Sequence, residues 1–214
     1  MKITSLPLPL TLLLASAALA PAQIVTYTFA TNVSPTTEDA NVSASDFGVG
    51  IGITTEFGRS SGSQNYFVRS TQTGSSLPDA ISNNEYLTFT ITPDSGFQMN
   101  LTSIDIQLGG NANIPGQTVS QGIFTSVDGF TAVDEVFSSS TALPSNNAET
   151  LDSLSIPLAG PQYSNITTAT EFRVYLYDNN DVVNVLHRAD NVVINGTVTP
   201  IPEPGSSALV AAWV

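Results

Sequence analysis

Strict alternation of apolar and polar residues constrains this chain more than any other feature. Leu87, Phe89 and Ile91 alternate with Tyr86, Thr88 and Thr90. A repeat of two suits an extended strand with one face buried and the other wet. Ile104, Ile106 and Leu108 repeat the pattern against Ser103, Asp105 and Gln107, and Phe172, Val174 and Leu176 repeat it against Arg173, Tyr175 and Tyr177. Further strands are expected at Ile24–Ala30, Phe47–Ile53, Tyr66–Arg69, Val119–Ser126, Ala132–Phe137, Leu154–Pro157 and Asn191–Val198. Turn signals fall between them at Thr92–Gly96, Gly109–Asn111, Asp128–Gly129 and Asp178–Asp181, with Asp128–Gly129 the strongest hairpin signal. Ser138–Thr150 reads as a long polar loop, and no amphipathic helix of about twelve residues interrupts the pattern. The expectation is an all-β chain whose residues 23–199 form one antiparallel β-sandwich of jelly-roll type.

The two ends read as targeting segments. Lys2 precedes an apolar stretch from Leu10 to Ala20, too short to span a bilayer, which marks residues 1–22 as a signal-peptide helix for signal peptidase. Cutting after Ala20 would leave Pro21 next to the scissile bond. Cutting after Ala22, with Ala20 three positions before the cut, starts the mature chain at Gln23 and is preferred. At the other end, residues 200–214 carry Pro202, Glu203 and Pro204, small residues, then an apolar run to Val214. This resembles the PEP-CTERM sorting tails of bacterial exported proteins. In that family the triplet precedes a membrane-spanning segment and an Arg cluster, and an exosortase-type membrane enzyme processes the tail. Ser206–Val214 falls short of the roughly twenty residues of a span, so the tail reads as truncated. Residues 199–205 are expected to leave the domain as an extended, unpaired spacer, because prolines lack backbone donors.

Glu85–Val198 also resembles a β-sandwich module common in secreted bacterial proteins with such tails. Tyr86–Pro93, Leu101–Ile104, Ser126–Phe130, Phe172–Tyr175 and Asp190–Val198 carry the likeness in the expected order. Together the resemblances imply a non-enzymatic protein of the cell surface or extracellular matrix of a Gram-negative-type bacterium, with transient membrane association through the tail. A carbohydrate-binding module is the alternative, and a secreted glycan-active enzyme the third reading.

Composition narrows the chemistry. With no cysteine, the chain has neither thiol catalysis nor thiolate metal sites. Its net charge of -13, with 18 acids against 5 Lys and Arg, disfavours nucleic acid and anionic membrane surfaces and suits polysaccharide or cations. His187 is the sole histidine; Asp190 lies near it, but no Gly-x-Ser-x-Gly motif accompanies it. The strand Ser103–Leu108 has the central acid, Asp105, of the Glu-x-Asp-x-x-Glu pattern that marks laminarinase-type sandwiches, and neither glutamate. Glu38–Asp39 and Asp134–Glu135 are adjacent pairs whose side chains diverge on extended backbone. No catalytic residue and no obligatory cofactor is expected. If calcium binds, its oxygen ligands are Asp178, Asn180 and Asp181. If a glycan binds, Arg173, Tyr175 and Tyr177 on one strand face form its stacking platform.

Overall fold

A computed structural model describes residues 22–53, 57–59, 65–69, 74–179 and 185–203. The amino-terminal strands are β1 (Ala22–Tyr27), β2 (Thr37–Glu38), β3 (Val42–Ala44), β4 (Gly48–Val49), β5 (Phe57–Arg59) and β6 (Tyr66–Arg69). A short helix, α1 (Leu77–Asn83), leads into β7 (Tyr86–Pro93), β8 (Phe97–Asn111) and β9 (Thr118–Thr125). The remaining strands are β10 (Phe137–Ala142), β11 (Thr150–Pro157), β12 (Thr170–Asp178) and β13 (Leu186–Pro200). They build two antiparallel sheets packed face to face. A 7-stranded sheet runs β11-β8-β13-β1-β2, with β6 beside β13 and β5 beside β6. A 6-stranded sheet runs β10-β9-β12-β7-β3, with β4 beside β7. From β7 onward the chain passes between sheets at every connection except β9 to β10, as in a jelly roll.

The three alternating segments place their apolar sets between the sheets, where Leu87, Phe89, Ile91, Ile104, Ile106, Leu108, Phe172, Val174 and Leu176 are buried. Rings bind the layers together. Phe89 of β7 stacks on Phe172 of β12 with centroids 4.8 Å apart, and Phe47 links Phe89 at 5.4 Å to Tyr66 of the opposite sheet at 5.1 Å. Two register shifts keep the long strands in phase with this core. Thr102 is an extra residue in β8, so Met99 and Leu101 face inward as well as Ile104 and Ile106. In β13 the shift falls at Asn191, whose φ of 46° suits an asparagine, and it turns both Ala189 and Val192 inward.

Several local expectations need correction. Gly109–Asn111 is no turn but the last part of β8. A Cβ at Gly109 would lie 2.0 Å from the Thr150 carbonyl oxygen, and one at Gly110 would lie 2.2 Å from that of Leu186, so neighbouring backbone requires these glycines within the strand. Ala132–Phe137 is not a strand; a 3-10 turn forms at Ala132–Asp134, where Asp134 accepts from the Thr131 backbone at 2.9 Å and hydroxyl at 2.6 Å. Asp128–Gly129 therefore opens a longer connection to β10 rather than a two-residue hairpin. The polar loop expected at Ser138–Thr150 contains most of β10, because Ser and Thr serve as well as Val on a strand whose partner β9 supplies the hydrogen bonds. Only Gly48–Val49 of the expected strand Phe47–Ile53 is extended and paired.

The start of the tail also differs. Thr199 and Pro200 pair with Gln98 and Phe97 in β13, and the Ile201 amide donates to the Gly96 carbonyl at 2.8 Å. Pro202 and Glu203 are exposed beyond this pairing, and Pro204 lies outside the described residues. Ala22 and Gln23 open β1 opposite Gly196 and Asn195, while Ala20 and the rest of residues 1–21 lie outside the described residues.

Candidate functional site

The two sheets differ on their outer surfaces. On the 6-stranded sheet, α1 lies over Phe124 and Tyr175 through Ala80, with Leu77, Ile81, Tyr86, Phe130 and Tyr177 around them. Ser76 caps the helix by accepting from the Asp79 amide, and Asn84 ends it with a φ of 58°. This changes the expected Arg173–Tyr175–Tyr177 platform. Tyr175 is only 1% exposed, and its ring meets Phe124 and Tyr86 edge-on at 5.2 and 5.1 Å. Arg173 is occupied too, because its guanidinium lies 3.9 Å from the Phe130 ring centroid and 4.4 Å from that of Tyr86. It also pairs with Glu171 at 2.7 Å and donates to the Tyr175 hydroxyl at 3.2 Å. Burial opposes its charge, but the Glu171 and Tyr175 hydrogen bonds outweigh this and raise its pKa. Tyr175 and Tyr177 pack with α1, Arg173 is taken up by Phe130, Tyr86 and Glu171, and no open stacking surface is left at Tyr175. The apolar outer face required a roof, which the Ser76-x-x-Asp79 cap with Pro78 signalled in a segment too short to show helical periodicity.

Asp178 is also not in an open loop. It ends β12, is 1% exposed, and lies near His187, while Asn180 and Asp181 fall outside the described residues. Among the described residues no three His, Cys, Asp or Glu side chains gather as a metal site. His187 is 0% exposed, neither ring nitrogen has a hydrogen-bond partner, and burial lowers its pKa to about 4 against the opposing field of Asp178. It is a neutral core histidine at physiological pH.

Asp128, Glu135, Gln162 and Tyr163 surround a cleft of about 390 Å³ between the β9–β10 and β11–β12 connections. Asp128 organises one wall. Its Oδ2 accepts from the Thr125 hydroxyl at 2.8 Å and from the Tyr163 hydroxyl, and its Oδ1 accepts from Gln162 at 2.9 Å. Burial and then the Asp128 hydrogen bond raise the Tyr163 pKa, so the phenol remains a donor. Asp134 turns back toward Thr131, and the hydroxyl and amide there lower its pKa. Glu135 goes the other way, with Oε1 buried and without a hydrogen-bond partner, and loss of solvent raises its pKa. The expectation that the Asp134–Glu135 pair diverges therefore holds, although on a 3-10 turn rather than a strand. Val133 is 92% exposed at the rim, and Val136, Pro157 and Ala159 add apolar surface. Among the described residues no Lys or Arg lines the cleft, and Asp128, Asp134 and Glu135 make its polar side rich in acceptors. Gln162 and Tyr163 carried no sequence signal, because they meet Asp128 only through the fold.

No family model and no curated protein matches the chain. Solved structures do match. A family 11 carbohydrate-binding module of the cellulosomal cellulase Lic26A-Cel5E of Clostridium thermocellum is 12% identical, covering 85% of this chain and 97% of that one with a TM-score of 0.35. The module TmCBM61, solved with β-1,4-galactotriose, is 8% identical over 76% of this chain and 90% of its own, with a TM-score of 0.31. The cleaved adhesin domain of Lys-gingipain from Porphyromonas gingivalis is 12% identical over 79% of this chain and 95% of its own, with a TM-score of 0.37. Likeness at this level assigns no ligand to the cleft.

Proposed function

We propose that this chain is an exported, non-enzymatic β-sandwich that binds neutral polysaccharide at a bacterial cell surface or in the surrounding matrix. The cleft beside Asp128 carries this reading. Its polar wall is held in place by hydrogen bonds among Asp128, Thr125, Tyr163 and Gln162, so a sugar hydroxyl meets groups that need no ordering on binding. Val133 and Pro157 offer apolar contact to the C–H face of a sugar ring. The acids do not form a catalytic pair in this reading: Asp128 is committed to three donors, and Glu135 Oε1 is buried. Export through signal peptidase and sorting by an exosortase-type enzyme at Pro202–Pro204 complete the proposal. Glycan-array screening followed by calorimetry is the test. Wild type should bind neutral oligosaccharides, and Gln162→Ala should bind about fivefold more weakly for the loss of one hydrogen bond. Absence of binding to any neutral glycan would refute the reading, and release of reducing sugar would make the protein an enzyme instead.

A further inference from the structure

The outer face of the 7-stranded sheet has no helix over it among the described residues, and it carries an ordered polar surface. Two parallel rungs cross β11, β8 and β13. In the first, Asp105 Oδ1 accepts from the Ser155 hydroxyl at 2.5 Å and Oδ2 accepts from the Asn195 amide at 2.6 Å. In the second, Gln107 donates to the Ser153 hydroxyl at 3.2 Å and accepts from the Asn191 amide at 3.1 Å. Asp105 and Gln107 are two residues apart on β8, so the rungs lie about 6.6 Å from each other.

Each rung is fixed by its own bonds yet retains capacity. The Asn191 and Asn195 side-chain carbonyls accept nothing among the described residues, and Gln107 keeps a second amide proton. Val193, half-buried opposite Asp105, sets an apolar spot between the polar groups. Asp105 is the sole charged member of the rungs, and the chain as a whole is strongly acidic. An uncharged partner rich in hydroxyls fits this surface; a polyanion does not.

The surface is continuous with the cleft. Ser153, Ser155 and Pro157 alternate along the outer face of β11, all exposed, and Pro157 lines the cleft. From Pro157 to Ser153 the strand adds about 13 Å of binding length. We infer that the polysaccharide site runs out of the cleft along the outer face of the 7-stranded sheet, and that its ligand is an extended neutral polysaccharide rather than a single sugar. This rests on the glycan-binding reading above and adds the length and course of the bound chain.

A length series separates the two claims. Calorimetry with the full chain would use neutral β-glucan and β-galactan oligosaccharides of two to eight units, with oligoguluronate as the anionic comparator. Wild-type affinity should rise with length for a neutral series. Gln107→Ala/Asn195→Ala should flatten that rise and bind the longest ligand about tenfold more weakly, while affinity for the disaccharide is unchanged. Ser153→Ala/Ser155→Ala removes one exposed hydroxyl from the β11 end of each rung, should weaken the longest ligand about threefold, and guards against a folding defect because both side chains lie at the surface. Length dependence that survives both double variants but disappears in Gln162→Ala would overturn the extended site and leave the cleft standing. Tighter binding of oligoguluronate would overturn the neutral specificity. Failure of every neutral glycan would remove both readings, and concentration-dependent dimerisation abolished by Gln107→Ala/Asn195→Ala would reassign the face to a second copy of the chain.

Discussion

His187 should make the stability of this sandwich fall steeply in mild acid. The folded imidazole titrates at about 4 against an ordinary 6.5, because burial opposes its charge more than Asp178 favours it. The sign follows from linkage. Above pH 6.5 folded and unfolded forms are both neutral, and the histidine contributes no pH dependence. Between 6.5 and about 4 only the unfolded chain takes up the proton, so folding stability is lost as pH falls through this window. A shift of this size corresponds to about 3 kcal/mol in full. Urea denaturation at pH 7.5, 6, 5 and 4, followed by far-ultraviolet circular dichroism, measures it. Other acids add their own dependence, so the informative quantity is wild type minus His187→Leu. That variant also removes two buried nitrogens without partners, each costing about 1–3 kcal/mol, and it should be no less stable than wild type at pH 7.5. Relative to it, wild type should lose about 3 kcal/mol between pH 7 and pH 4. Parallel curves, or a folded-state imidazole NMR titration near 6.5, would refute the buried neutral histidine; with His187 the sole histidine, that resonance needs no assignment.

Phe89→Ala removes a ring that stacks on Phe172 and Phe47 and meets Tyr27 at a tilt, and should cost about 3–5 kcal/mol in denaturant unfolding; a near-zero change would contradict its place in the core. Gly110→Ala should cost about 1–3 kcal/mol, because the new methyl meets the Leu186 carbonyl oxygen, and unchanged stability would mean that β8 and β13 separate at that point. Exported protein should begin at Gln23 by amino-terminal sequencing, and retention of Met1 would exclude the secretory route. Extending the tail past Val214 with apolar residues and an Arg stop, in an exosortase-bearing host, should yield membrane-held protein trimmed near Pro202–Pro204. A soluble, untrimmed product would end the sorting-tail assignment.

Alternation at Leu87–Ile91, Ile104–Leu108 and Phe172–Leu176 was enough to set the fold class, because a strand with a repeat of two and one apolar face is stable only when that face meets another sheet. Composition likewise set the lack of thiol chemistry and the acidic character. The candidate site was not legible in the same way. Asp128 reads locally as a turn residue, and only the crossing from β11 to β12 brings Gln162 and Tyr163 against it. Tyr175 alternates like a solvent-facing residue, yet α1 covers it, and what packs on a sheet's outer surface is decided by elements distant in sequence. Gly109–Gly110 illustrates the same limit: Gly-Gly is a turn signal until Thr150 and Leu186 approach from two neighbouring strands and leave no room for a side chain. Strand-forming tendency is a property of neighbouring residues in the chain. Clefts, roofs and close backbone approaches depend on which strands the fold sets side by side.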